Sequence, residues 1–537
     1  MKKKILLGVL VLIAIVGIAI LIRGINKTTT IVVDVSKLTY NGKKIKSYTQ
    51  ETYDEFISDY KNNKLPKIYI TDFVFDGAGM YKEYDLDDYI EDGNNYEPKV
   101  YTTIAFNVNT TGNIEFTGSI EGGMILVNTN NIKGDINLIL NNLKLDTGSK
   151  KAPAIYVYNK DINYTNHKVT IIPKKGTKNY IEGGKLKKVS LIDKDNLDSE
   201  KDKYTGETLA WYNEYTNYYG VFNSNEIHEV LFATVQADND DLKDGDPVYF
   251  YKAAGAISSD IDLYFEGEGY LKVTSKNKEG IETKGNLTLS GGIGDYEVYA
   301  DDDCLNTTTK SSIENARNTL YINVNSLTAI VSLDADEGDA IDSNGTLTID
   351  GGKIIAIAHP GQDAGLDGEL GTYINGGVII ATGDMFDQVS ENSKQNFMAL
   401  TFNEKVEDKE KIVLKDSSNN IVFEYETDRN YSNLVYSSSK LVDEEYTLYK
   451  DDIQLGYSNK GNAGGMPQGG MEPPSGDRPE NNMMEPPSGD RPEMPPEEMS
   501  EPQGGFNMNN MGEPTNKEFK IEGISNLFSG VGEYKEI

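Results

Sequence analysis

Cysteine is all but missing from this chain: Cys304 stands alone among 537 residues. One thiol excludes an intrachain disulfide framework and any cysteine-based zinc site. Positive charge is also short. The 52 lysines and arginines face 85 acids, giving a formal net charge of -33, and such a field repels phosphate backbones. Nucleic acid is therefore not an expected partner, whereas divalent cations and neutral ligands are. Helix-favouring segments are few, while 52 glycines and 34 tyrosines fit an all-β protein rich in turns. With no disulfides, stability has to come from packing, backbone ladders or metal.

One long apolar run is present. Lys2, Lys3 and Lys4 precede uncharged residues from Ile5 to Ile22, and Arg23 and Lys27 follow. The run exceeds the ~7 to 15 residues of a signal-peptide core and closes on Ile20, Leu21 and Ile22 rather than on small residues. Residues 1–27 are predicted to be an uncleaved anchor in the cytoplasmic membrane, with the body outside. A cleaved signal peptide with an atypical site is the alternative, in which case the protein is secreted. No cysteine follows the run, which excludes a lipoprotein.

Residues 28–101 read as an N-terminal β cap, with alternating segments at 31–35 and 67–75 and a tyrosine-rich acidic loop. Residues 102–396 carry short alternating runs punctuated by Gly and Asn, interrupted by a polar stretch at 186–248 that reads as an insertion. Residues 397–457 plus 517–531 suggest a small antiparallel β domain. Between them, 458–516 is Met, Gly and Pro in bulk, and residues 471–480 recur identically at 484–493. Such a segment cannot build a core and is expected to be disordered.

Internal repeats define the architecture of the middle. A small residue followed by an aliphatic one recurs at Ala256-Ile257, Gly280-Ile281, Cys304-Leu305, Ala340-Ile341 and Gly365-Leu366, with spacings of 24, 24, 36 and 25. Three copies run on to a Gly-Gly, at 280–292, 340–352 and 365–377. A period of this length holds two or three short strands and their turns, which is one coil of a parallel β-helix with the doublets stacked inside.

Carboxylates crowd the doublets. Glu279, Asp303 and Asp339 come immediately before them, and Glu282, Asn306, Asp342 and Asp367 immediately after. Asp301, Asp302, Asp334, Asp336, Glu337 and Asp363 lie close by. Equivalent residues in such a coil are ~4.8 Å apart, so a column of acids repels itself unless something neutralises it. Calcium, which takes six to eight hard oxygen ligands, fits that chemistry. Solvated turns are the plainer alternative. The acidic segment 238–246 is no EF-hand, because placing Asp240 first puts Leu242 third and Tyr251 twelfth.

The Gly-Ile-x-Thr/Ser-x-Gly-x-Leu-Thr-Leu/Ile-x-Gly-Gly coils, the turn at 301–306, Pro153 to Tyr156 and the Met/Gly/Pro-rich tail together resemble bacterial carbohydrate-binding domain-containing proteins. These are similar to a clostridial cellulose- and pectate-binding protein. The resemblance covers about 102–449, apart from the insertion. It implies a right-handed, pectate-lyase-like parallel β-helix, bound calcium and adhesion to polysaccharide. Cys304 departs from the pattern, standing where glycine is expected, and the insertion is longer and more aromatic than the family pattern.

Sugar binding requires aromatic faces plus polar groups or a cation. Trp211, the only tryptophan, with Tyr212, Tyr215, Tyr218 and Tyr219, supplies such a platform on the insertion, or else forms the insertion's own core. The competing class is a calcium-dependent pectate lyase, which needs a strong base. Arg317 is the only arginine in the helix, and Lys284 and Lys353 are further candidates. A hydrolase is the weaker enzymatic option, because Asp301 to Asp303 have only His359 and Arg317 nearby, in no recognisable arrangement. A structural or adhesive surface protein without a sugar site is the third class.

Overall fold

Burial along Leu320–Val331 explains how a coil is built: Leu320, Ile322 and Val324 point inward, and after Asn325 and Ser326 the inward set shifts by one to Leu327, Ala329 and Val331. Period-two alternation makes each half a half-buried strand, and the slip turns the chain through a corner. The computed structural model describes residues 30–72, 104–148, 153–159, 168–183, 255–276, 278–308, 318–335, 337–361, 363–459 and 512–536. It also describes the strand backbones at 189–191, 208–213, 218–223, 226–227, 233–236 and 249–252. Its architecture is all-β, as expected, and the one α-helix among the described residues is Tyr53–Lys61.

Each coil contributes to three parallel ladders. The first runs through Gly123–Asn128, Ile155–Tyr158, Ile257–Ser259, Ile281–Thr283, Leu305–Thr307, Ile341–Ser343 and Asp367–Gly368. The second includes Val169–Pro173, Leu263–Phe265, Leu287–Leu289, the first part of Leu320–Val331, the first part of Leu347–Ile357 and Thr372–Ile374. The third takes Lys178–Glu182, Tyr270–Thr274, Asp295–Ala300, the far halves of Leu320–Val331 and Leu347–Ile357, and Val378–Gly383. Aliphatic columns fill the space between them: Ile155, Ile257, Ile281, Leu305 and Ile341 pair in register and are fully buried. Their doublet register is the one the repeat predicts.

Elements outside the repeat pack on both ends of the stack. At the start, Ile68–Thr71 runs antiparallel to Ile104–Val108, and the helix lays Phe56 against Tyr48 and Tyr69. At the finish, Tyr431–Ser438 pairs antiparallel with Val378–Gly383 and ends the third ladder. The C-terminal sheet differs from the expected antiparallel arrangement in one strand: Ser525–Glu533 runs parallel to Phe397–Val406. A parallel neighbour requires a long connection rather than a hairpin, and many residues separate Gly456 from Phe519.

Among the described residues no helix is long and apolar enough to cross a membrane. The run from Ile5 to Ile22, the tyrosine-rich loop, the segment 238–246 and residues 460–511 lie outside them.

Candidate metal centre

Ala256, Gly280, Cys304 and Ala340 each sit at a bend where the chain leaves the third ladder and enters the first. Both members of each doublet are buried. The residue at the bend has to be small: a Cβ on Gly280 would lie 2.7 Å from the Cys304 carbonyl oxygen and 2.3 Å from Val298 Cγ1. Cys304 fills this position as an ordinary core side chain, fully buried, and burial pushes its thiol well above the usual range. Gly338, at φ 144°, makes the turn before Asp339 and passes so close to Asp302 that a Cβ would meet its carbonyl carbon at 2.7 Å.

The bend brings the residues before and after a doublet to one side. Glu282, Asn306, Asp342 and Asp367 occupy one position of the first ladder on successive coils. The carbonyls of Glu279, Asp303 and Asp339 accept from Ala256, Gly280 and Cys304 at 3.0, 2.8 and 3.2 Å, which sets a second column. The columns meet at Asn306, whose Nδ2 donates to Asp303 Oδ2 and, at 2.9 Å, to Asp342 Oδ2. Asp303 Oδ1 accepts from the Asp339 amide at 2.8 Å.

Asp339, Asp342 and Asp367 converge furthest: one carboxylate oxygen from each lies within 4.8 Å of the other two. Burial first, and then the charges of Asp367, Asp342 and Asp363, raise Asp339 to about 8. Burial, with Asp303 and Asp367, raises Asp342 to about 8. Burial and the charge of Asp387 raise Asp367 to about 6. Asp303 is pushed well above the usual carboxylate range by burial and by Asp302, Asp339 and Glu279. Beside this group Asn306, 7% exposed, presents a buried Oδ1 that has no hydrogen-bond partner. Crowded carboxylates with an unpartnered amide oxygen nearby are hard oxygen donors, the kind that calcium takes.

The remaining acids divide. Lys278 Nζ meets Asp302 Oδ2 at 2.6 Å and Glu279 Oε1 at 3.8 Å; burial works against its charge, but these two acids hold the ammonium above its ordinary range. Glu282 Oε1 accepts from Gly255 N at 2.5 Å and Ser258 Oγ at 2.6 Å. Asp363 Oδ2 lies 3.6 Å from His359 Nδ1. Asp301 is raised by burial and by the nearby charge of Asp334, which is itself exposed. Asp336 and Arg317 are outside the described residues. Of the candidate bases, Lys284 is tied to Asp260 at 3.0 Å.

Sequence reading missed Asp387, which accepts from Gly368 N at 3.0 Å and borders Asp367. It belongs to a partial further coil, where Ala364 bridges Met385 and Thr372 bridges Val389, and no doublet marks it.

The insertion leaves the stack after Gly183 and returns at Gly255, at the same corner as the acids and one coil before Glu279. In its hairpin Trp211 pairs with Gly220, Tyr212 with Tyr219 and Asn213 with Tyr218, while Tyr215 is outside the described residues.

A family model described as "Carbohydrate-binding domain-containing protein" matches residues 221–427, a span that contains the whole acidic corner. The match supports sugar binding, and a binding rather than a catalytic role. No curated protein and no solved structure gives a match.

Proposed function

We propose that this is an extracellular, calcium-dependent carbohydrate-binding protein that adheres to plant-type polysaccharide, cellulose or pectate, without cleaving it. The observation that carries the reading is a coincidence of position: the span matching a carbohydrate-binding family is also the one in which three aspartates converge, beside Asn306, whose amide nitrogen donates to Asp342 and whose amide oxygen is buried without a partner. Asp339, Asp342 and Asp367 are the carboxylate ligands and Asn306 Oδ1 the neutral one. Bound calcium would cancel the repulsion and offer open coordination positions to sugar hydroxyls or uronate carboxylates. Trp211, Tyr212, Tyr215, Tyr218 and Tyr219 are the aromatic residues that the insertion would offer to sugar faces.

The stack is read as a right-handed parallel β-helix, because right-twisted strands joined in parallel almost always cross over with that hand. Residues 1–27 hold the protein to the cytoplasmic membrane, or are removed on secretion. The test is retention of the full-length chain on cellulose and on pectate, with calcium and with chelator, while absorbance is followed for unsaturated sugar. Calcium-dependent retention without product is expected. Unsaturated product would replace this reading with a lyase, and retention on neither glycan would leave a structural protein.

A further inference from the structure

The outer face of the second ladder carries a pattern that the calcium site does not use. Between its inward aliphatic positions, the outward residue reads Tyr264, Thr288, Tyr321, Thr348, Tyr373 from one coil to the next. All five are half-buried, whereas Leu263 and Phe265 on either side of Tyr264 are fully buried. A tyrosine therefore recurs on every second coil, ~9.6 Å apart at the usual strand spacing of ~4.8 Å. The threonines between are shorter than the rings, and Lys168 stands over one face of Tyr264.

Hydrogen-bonding groups border this column. Asp350 accepts from the Tyr321 hydroxyl at 2.9 Å and from Asn375 Nδ2 at 2.7 Å. Asn286 Oδ1 accepts from Thr319 N at 2.9 Å and from its hydroxyl at 3.1 Å. At Tyr264, Lys168 Nζ stands 4.3 Å from the ring centroid and pairs with Glu266 at 2.5 Å. The tyrosines are confined to the span matched by the carbohydrate-binding family; in the earlier coils the same position holds Asn113, Asn137 and Thr170.

We propose that this column is a track for an extended β-1,4-linked glycan, with one tyrosine beneath every second sugar. In such a chain each ring is turned over relative to the last, so like faces recur every second ring, over about the distance that two coils advance. Aromatic faces take the apolar face of a sugar ring, and the bordering amides, hydroxyls and carboxylates take its equatorial hydroxyls. The inference rests on the carbohydrate-binding reading and deepens it, naming a flat β-1,4-linked chain as ligand and the coils, rather than the insertion, as its seat.

The experiment titrates the full-length chain, in calcium, with cellobiose, cellotetraose and cellohexaose. Alongside it are Tyr321→Ala, Tyr373→Ala, Tyr321→Phe, Thr348→Ala and the triple alanine replacement of Tyr264, Tyr321 and Tyr373, each checked for an unchanged melting temperature. Affinity should rise with chain length, each single alanine should weaken cellohexaose by about tenfold, and the triple should abolish binding. Tyr321→Phe and Thr348→Ala should bind as the parent does. If the triple variant, or failing its folding both single alanines, binds cellohexaose as the parent does, the track is wrong while the proposed function stands. Equal affinity for cellobiose and cellohexaose sinks it too, as does retention on pectate alone. A parent chain that binds no glycan overturns the proposed function itself, and this inference with it.

Discussion

Among the described residues at the corner, Asn306 alone does two jobs at once. Its amide nitrogen bridges Asp303 and Asp342, and its amide oxygen is buried without a partner. Replacing it with leucine removes both, so Asn306→Leu should weaken calcium binding by about tenfold or more, the usual consequence of losing a group that orients metal ligands; calorimetry on chelator-stripped protein reads this directly. Asp342 makes a sharper test, because its charge is costly without calcium and useful with it. Asp342→Asn should raise the melting temperature in chelator and lower it in calcium, and a shift of the same sign in both would remove Asp342 from the site.

The titration of these acids follows the same logic. A carboxyl raised on folding keeps its proton in the folded chain after the unfolded chain has lost it. Its contribution to stability is complete below about pH 4 and is lost as the pH climbs. For Asp339 and Asp342 that loss extends up to about 8. In chelator the melting temperature should therefore fall between pH 5 and pH 8, and saturating calcium should flatten or reverse the slope, since metal displaces the protons.

At the scale of one coil, the bend at the doublet is the controlling element. Gly280 faces a carbonyl oxygen and a valine methyl with no room for a methyl of its own. Gly280→Ala should cost about 1 to 3 kcal/mol through overpacking, measured by denaturant unfolding, even though alanine stands at the equivalent bends Ala256 and Ala340. This element was legible in the sequence because a stacked interior repeats the same steric demand on every coil. Small-aliphatic doublets therefore recur wherever Ile257, Ile281, Leu305 and Ile341 pair. Glu282, Asn306, Asp342 and Asp367 were legible for the same reason, as residues at a fixed offset from the doublets. Asp387 was not, because it borders Asp367 from a partial coil that lacks the doublet. Nor does any local pattern announce that Ser525–Glu533 joins its sheet parallel to Phe397–Val406, since a long connection leaves strand direction to the packing of the sheet. The tyrosines at 264, 321 and 373 became a column only once the coils were aligned through the second ladder, where loops of unequal length hide the period.

Across the whole molecule, a chain with a net charge of -33 that stacks coils one strand spacing apart sets repulsion against the hydrophobic stack. The first ladder concentrates that conflict at its finish: Asp342 and Asp367 lie on adjacent coils, with Asp339 beside them, while Ile125, Ile155 and Ile257 continue the same ladder through coils with no such triad among the described residues. A cation shared between Asp342 and Asp367 would act as a staple across two coils, stabilising the folded chain by mass action where it binds and leaving distant coils to their own packing. Removing it should loosen the stack locally rather than melt it. Hydrogen exchange with and without chelator measures this. Amides in Ile341–Ser343 and Asp367–Gly368 should exchange faster without calcium, while those in Gly123–Asn128 and Ile155–Tyr158 keep their protection. Uniform acceleration along the ladder would mean that the coils unfold as one cooperative unit, and no change at all would mean that calcium does not bridge them.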